Sequence, residues 1–182
     1  MRTKISIGLI SLILTGTAFA ESFSIQFNAS FFSPSDKYFK SIYGNAPMYG
    51  LKIGATITKG LVFWVDADFY TKNGRMTQTT EVTNLKLVPI LAGLYLRLIP
   101  AGKFSPYLGG GIGYFLYQEK SPLGTVSKGD VGFVAQAGIV FKVGRTVFAD
   151  LQGSYTACKV NPAGVEADLG GLKAGLGLGF AF

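Results

Sequence analysis

Seven charged side chains fall at the alternate, less greasy positions of otherwise apolar stretches: Lys52, Asp66, Asp68, Arg97, Lys142, Asp150 and Lys173. Asp66 and Asp68 stand two residues apart in FWVDADFY, a spacing that puts both carboxylates on one face of a strand. A carboxylate pair can perform acid–base work or hold a cation. Neither role is favoured here. The chain contains no histidine, which removes the usual general base and a frequent metal ligand. No third acid lies close enough in sequence to complete a cation site. The simpler expectation is an internal network of paired charges, because a charge taken out of water must find a partner. An ion path along the same residues is the alternative. No catalytic residue, metal site or cofactor is expected.

Three other patterns invite a chemical reading and lose it. Gly109-Gly110-Gly111 in SPYLGGGIGY lacks both the G-x-G-x-x-G spacing and a following helix, so strand packing explains it better than a phosphate cradle. Gly171 and Gly175 match G-x-x-x-G, a motif that works on helices, whereas the residues around them alternate with period two. Cys158, the only cysteine, reads as a free loop thiol with no partner for an internal disulfide.

The elements that must position the charges are strands. The C-terminal GLKAGLGLGFAF sets Leu172, Ala174, Leu176, Leu178, Phe180 and Phe182 on one face and small residues on the other. Seven earlier stretches alternate in the same way, near 23–31, 49–57, 61–69, 88–98, 105–117, 133–142 and 147–155. Thr58 to Gly60, Pro100 to Lys103 and Gly144-Arg145 are tight connections. Ser33 to Pro47, Thr71 to Asn84, Gln118 to Asp130 and Thr156 to Gly170 are long. Short turns at one end and long loops at the other predict an all-β, eight-stranded antiparallel up-and-down transmembrane barrel.

Composition agrees. Only 15% of residues are charged, against about 25% in ordinary soluble domains, and mean hydropathy is +0.35. Yet after the N-terminus no apolar run reaches the ~18 residues of a helical span. A soluble lipocalin-like barrel, polar outside and apolar within, is the weaker alternative: the less greasy face carries too few charges for a solvated exterior. With that face inward, Phe23, Phe63, Phe141, Phe180 and Phe182 ring one end. Phe31, Tyr49, Phe69, Tyr114, Phe133 and Tyr155 ring the other, with aliphatic residues between. Two aromatic girdles around an aliphatic belt suit a bilayer. An outward charge at Ala92 or Leu176 is therefore expected to be costly, and an inward serine at Gly177 mild.

The first twenty residues read as a cleaved signal peptide: Arg2 and Lys4, an apolar run from Ile5 to Leu14, then Ala18-Phe19-Ala20 as an A-x-A cleavage site. Residues 1–20 are expected to be removed, leaving one barrel domain over 21–182. The net charge of +7 is spread rather than clustered in the long loops, so no nucleic-acid partner is expected. Each short turn does carry a base, Lys59, Lys103 or Arg145, offset only by Glu21; contact with anionic headgroups is one expectation and plain solubility of tight turns the other.

The signal peptide, SPYLGGGIGY and the aromatic end of the last strand together resemble the small OmpA-type outer-membrane barrels, a porin-like family. The resemblance covers 21–182, with a weaker echo of a first long loop in FSPSDKYFKSIYG. It implies export through the periplasm to the outer membrane of a Gram-negative bacterium. It implies Phe180 and Phe182 as a signal read by the barrel-assembly machinery, with periplasmic chaperones on the way. Nothing in the chain matches a peptidoglycan-binding domain, so wall anchoring is not implied. The small barrels that are enzymes rely on histidine, so an enzyme is not expected. What remains is a structural or surface-interaction role through the long loops, touching outer-membrane lipids, lipopolysaccharide and an unknown surface ligand. A narrow pore for ions or small solutes is the alternative.

Overall fold

Period-two alternation pairs strand against strand until no edge is left. A computed structural model of the chain describes residues 22–75, 82–121, 124–160 and 167–182. Its elements are β1 (Ser22–Pro34), α1 (Lys37–Tyr43), β2 (Ala46–Thr58), β3 (Leu61–Arg75), β4 (Val82–Arg97) and β5 (Phe104–Ser121). Then come β6 (Gly124–Lys142), β7 (Val147–Ala157), β8 (Lys159–Val160), β9 (Ala167–Asp168) and β10 (Gly171–Ala181). Eight strands close in the order β1-β2-β3-β4-β5-β6-β7-β10 and back to β1, every pair antiparallel. Among the described residues no helix is long and apolar enough to cross a membrane. The seam joins first and last strands, with Phe27 opposite Leu178. Phe182 finishes it through reciprocal backbone hydrogen bonds with Phe23, 3.2 and 2.8 Å long.

The faces divide as the alternation requires. Phe27, Phe31, Leu176 and Leu178 are exposed on the outside, while Gln26, Asn28 and Lys173 between or opposite them are buried. A closed barrel whose exposed belt is Leu, Ile, Val and Phe would be insoluble in water, and it matches hydrocarbon. The inner face is narrow, and glycine makes room in it. Gly54, Trp64, Gly93 and Gly111 stand side by side across β2 to β5. A Cβ on Gly93 or Gly111 would run into the backbone of the facing strand, so this row admits one indole and no other bulk. Pairing of β3 with β4 skips from Ala67–Ile90 to Tyr70–Leu87; Pro89, in the gap, has no N–H to donate.

The end with the long connections departs from expectation. Residues 71–75, 118–121 and 124–130 are strand rather than loop, so β5 and β6 reach 18 and 19 residues. A membrane strand needs only ~9–11, so this hairpin stands well clear of the bilayer. The first connection contains α1, begun by Asp36 as N-cap and ended by Gly44 at φ 65, a left-handed conformation natural to glycine. The last contains a two-stranded ribbon, β8 with β9.

Candidate functional site

Inside the barrel a polar band separates two apolar layers. Toward the long-loop end the lining includes Phe32, Met48, Leu87, Leu91 and Phe115; toward the short-turn end it includes Val62, Trp64, Tyr95, Tyr107 and Phe148. The alternation delivers charges between them from several strands. Lys173, from β10, reaches across the lumen to both carboxylates of β3: its Nζ lies 3.4 Å from Asp66 Oδ2 and also bonds Asp68 Oδ2. Asp66 and Asp68 are 2% and 1% exposed. Gly50, opposite Asp68 on β2, leaves the space its Oδ1 occupies.

Neutral amides extend the network. Asn28 donates to Asp66 Oδ1 at 3.4 Å, and Gln26 donates to Asn28 Oδ1 at 2.6 Å and to Asp150 Oδ2 at 2.9 Å. The Tyr107 hydroxyl donates to the same Asp150 oxygen at 3.0 Å. Lys52 has amide rather than acid partners: Nζ donates to Gln152 Oε1 at 2.5 Å and Gln136 Oε1 at 3.3 Å, and lies 5.7 Å from the Trp64 ring centroid. Thus Lys52, Asp66, Asp68, Asp150 and Lys173 are gathered in one band. Arg97 sits at its edge, donating from Nη2 to the Tyr95 hydroxyl at 3.3 Å, while the Tyr95 and Tyr107 rings stack 4.6 Å apart.

Lys142 is not part of the band, which corrects the expectation. It is the last residue of β6, and its Nζ donates to the Pro100 carbonyl in the neighbouring turn at 2.7 Å. Alternation assigns a face but not a depth, and at the strand's end the inner face opens to solvent. The partners Gln26, Asn28, Tyr107, Gln136 and Gln152 escaped the charge-based reading because they are neutral, although their parity already placed them inward. A Cβ at Gly177 would meet the ends of the Gln26 and Asn28 side chains and no backbone, so a serine there requires only that those amides shift. Ala18 and Ala20 lie outside the described residues. Phe180 and Phe182 are exposed at the short-turn end of the seam.

Lys173 balances one of the two charges of the Asp66–Asp68 pair, and both carboxylates are walled off from solvent. Among the described residues no group of three His, Cys, Asp or Glu side chains converges on a metal position.

A second polar assembly ties down the long-loop end. Asp36 Oδ1 accepts from the Tyr38 and Phe39 amides at 2.8 and 2.9 Å, while its Oδ2 accepts from the Asp168 amide at 3.4 Å. Asp168 in turn accepts from Cys158 N at 2.9 Å and Gly170 N at 2.8 Å. One side chain therefore caps α1 and joins it to the ribbon. Phe39 and Tyr43, one helical turn apart, point into the barrel mouth and are buried. The Tyr43 hydroxyl donates to Glu119 Oε1 at 2.6 Å. Burial and that carboxylate hold the phenol above its usual range. Lys37, Tyr38 and Lys40 stay exposed on the outer side of the cap.

Neither any protein-family model nor any curated protein matches this sequence. Solved structures do. The outer membrane protein OprG from Pseudomonas aeruginosa is 14% identical, with a TM-score of 0.68 over 90% of this chain and 96% of that one. Neisserial surface protein A is 21% identical, with a TM-score of 0.66 over 88% of this chain and 97% of that one. Ail, the attachment invasion locus protein of Yersinia pestis, is 16% identical, with a TM-score of 0.61 over 88% and 98%. At such identities the likeness is one of fold, and it extends over nearly the whole of each chain. Taken with the lipid-facing belt, it makes this chain an eight-stranded membrane barrel with the fold of the small OmpA-type outer membrane proteins.

Proposed function

We propose that the chain is a surface-interaction protein of the Gram-negative outer membrane, a closed barrel that anchors an ordered cap. The observation that carries this reading is the double occlusion of the lumen. Lys173 bridges Asp66 and Asp68 across the middle, and Phe39 and Tyr43 of α1 close the mouth above. Hydrogen bonds among the cap, the ribbon and the β5 wall would hold a surface in one shape, which lowers the entropy cost of binding a partner. The exposed Lys37 and Lys40 suit the phosphates of lipopolysaccharide or another anionic saccharide. One fold neighbour, Ail, was solved with a heparin analogue, sucrose octasulfate.

On this reading residues 1–20 are cleaved after Ala20 and 21–182 form the barrel domain. Periplasmic chaperones and the barrel-assembly machinery deliver the chain, the latter reading Phe180 and Phe182, and the short turns face the periplasm. A narrow pore is the second reading. It draws on Gln136 Nε2, Gln152 Nε2 and Asp150 Oδ1, buried polar atoms without a partner among the described residues, which would suit a file of water. Planar-bilayer recording separates the two. A silent bilayer supports the closed anchor; stable steps from the unaltered protein refute it.

A further inference from the structure

The short-turn end concentrates positive charge against the lipid boundary. Three turns close the barrel there, β2–β3, β4–β5 and β6–β7, and each presents one exposed base: Lys59, Lys103 and Arg145. Each base stands within two residues of a large exposed apolar side chain. Ile57 precedes Lys59 by two, Phe104 follows Lys103 directly, and Val143, 70% exposed, precedes Arg145 by two. That pairing is what a long basic side chain uses at a membrane interface, with the apolar neighbour in hydrocarbon and the charged tip raised to the headgroups. Two more bases, Arg97 and Lys142, stand at the mouth of the same end and add to the field.

No described acidic side chain stands at the rim to offset Lys59, Lys103 or Arg145. Asp66, Asp68 and Asp150 are buried in the lumen band, while Asp36, Glu119, Asp130 and Asp168 belong to the opposite end. Lys142 is bonded to a neutral carbonyl, so its positive charge is not cancelled locally; Arg97 bonds the Tyr95 hydroxyl at the edge of the band and is partly offset by Asp150.

We infer that this rim is a binding surface for anionic phospholipid, with Lys59, Lys103 and Arg145 each contacting a phosphodiester headgroup of the adjacent leaflet. A base close to an anionic surface enriches such lipid by up to about fivefold per site, the ratio equivalent to about 1 kcal/mol. The inference needs only that the turns lie at headgroup level, whether or not the barrel conducts. Its failure is therefore distinct from failure of the closed-anchor reading.

The test is lipid selectivity of the folded barrel in phosphatidylcholine vesicles, read by electron spin resonance with spin-labelled phosphatidylglycerol and phosphatidylcholine. Folding of each variant is verified by heat-modifiable gel mobility. The unaltered protein should prefer phosphatidylglycerol several-fold, and 0.5 M salt should shrink the preference, because the Debye length then falls below about 8 Å. Changing Lys59, Lys103 and Arg145 together to Gln should abolish most of it. The charge-keeping set Lys59→Arg, Lys103→Arg and Arg145→Lys should retain it. Changing Lys120 and Lys128, at the loop end of the β5–β6 hairpin, to Gln should leave it in place. The inference is overturned if the unaltered protein shows no preference, if the rim variant keeps it, or if the loop variant loses it instead.

Discussion

Replacing Lys173 with Met removes the ammonium that touches both Asp66 and Asp68. The two carboxylates then face each other with less than 3% exposure apiece, and Asn28 is the remaining donor to Asp66. At 3.4 Å and an effective dielectric constant of ~20, the lost attraction is about 5 kcal/mol for one pair. Methionine recovers some of this by apolar packing. The net loss should lie at about 3–5 kcal/mol, the range for removing one partner of a buried ion pair. Most of it should be the penalty of stranded charge rather than the worth of the bridge. The variant with Asp66→Asn, Asp68→Asn and Lys173→Met together should consequently return to within about 1 kcal/mol of the unaltered protein. Reversible urea unfolding in lipid vesicles, set out as a mutant cycle, measures both quantities. A single-variant loss below about 1 kcal/mol, or a triple variant as unstable as the single one, would refute the account of the lumen as a charge-compensated plug.

Leu176→Arg places a cation at a site 63% exposed to lipid and should cost about 2–4 kcal/mol in the same assay. Gly111→Ala should lose about 1–3 kcal/mol by overpacking, since its Cβ would strike the Ala92 carbonyl and Gly93, whereas Gly110→Ala meets only a 3.1 Å contact and should be much milder. Asp36→Ala removes the cap of α1 and its link to the ribbon. It should cost about 1 kcal/mol and show as faster amide exchange at Phe39 and Asp168 with the barrel strands unchanged. Burial pushes the Cys158 thiol up to about 12 from an ordinary 9.0. The folded state thus holds its proton more tightly, a contribution that is complete below pH about 9 and is lost as pH climbs toward 12. Alkaline titration of stability should show a decline in that window that Cys158→Ala lacks.

The barrel wall was legible because every membrane strand obeys one rule. Phe23 to Phe31 and Leu172 to Phe182 alternate visibly, since one side of each must face hydrocarbon. Beyond the bilayer the rule lapses. Gln118 to Ser121 and Gly124 to Asp130 are as much strand as the rest of β5 and β6, yet water wets both of their faces and the polar residues there resemble a loop. The helix left a clearer trace. Asp36, the Phe39–Tyr43 spacing and Gly44 are a start, a buried stripe and a stop; lying inside a stretch with loop composition, they read as loop. In the lumen the charges disclosed themselves, but their neutral partners did not, because an amide such as Gln26 or Gln152 looks the same in sequence whether it faces water or a lysine. Which lysine meets which carboxylate depends on the stagger of strands around the closed wall, and no local pattern encodes that.

The glycine row beside Trp64 has a use of its own. This is the only tryptophan of the chain, 1% exposed and flanked by Gly54 and Gly93. Its fluorescence therefore comes from a single place inside the cylinder, with no second emitter in the outer girdles to confuse the signal. Once β1 and β10 have met and water has left the interior, its spectrum should lie at shorter wavelength than in the unfolded chain. The protein carries its own clock for the moment a flat ribbon of strands becomes a tube.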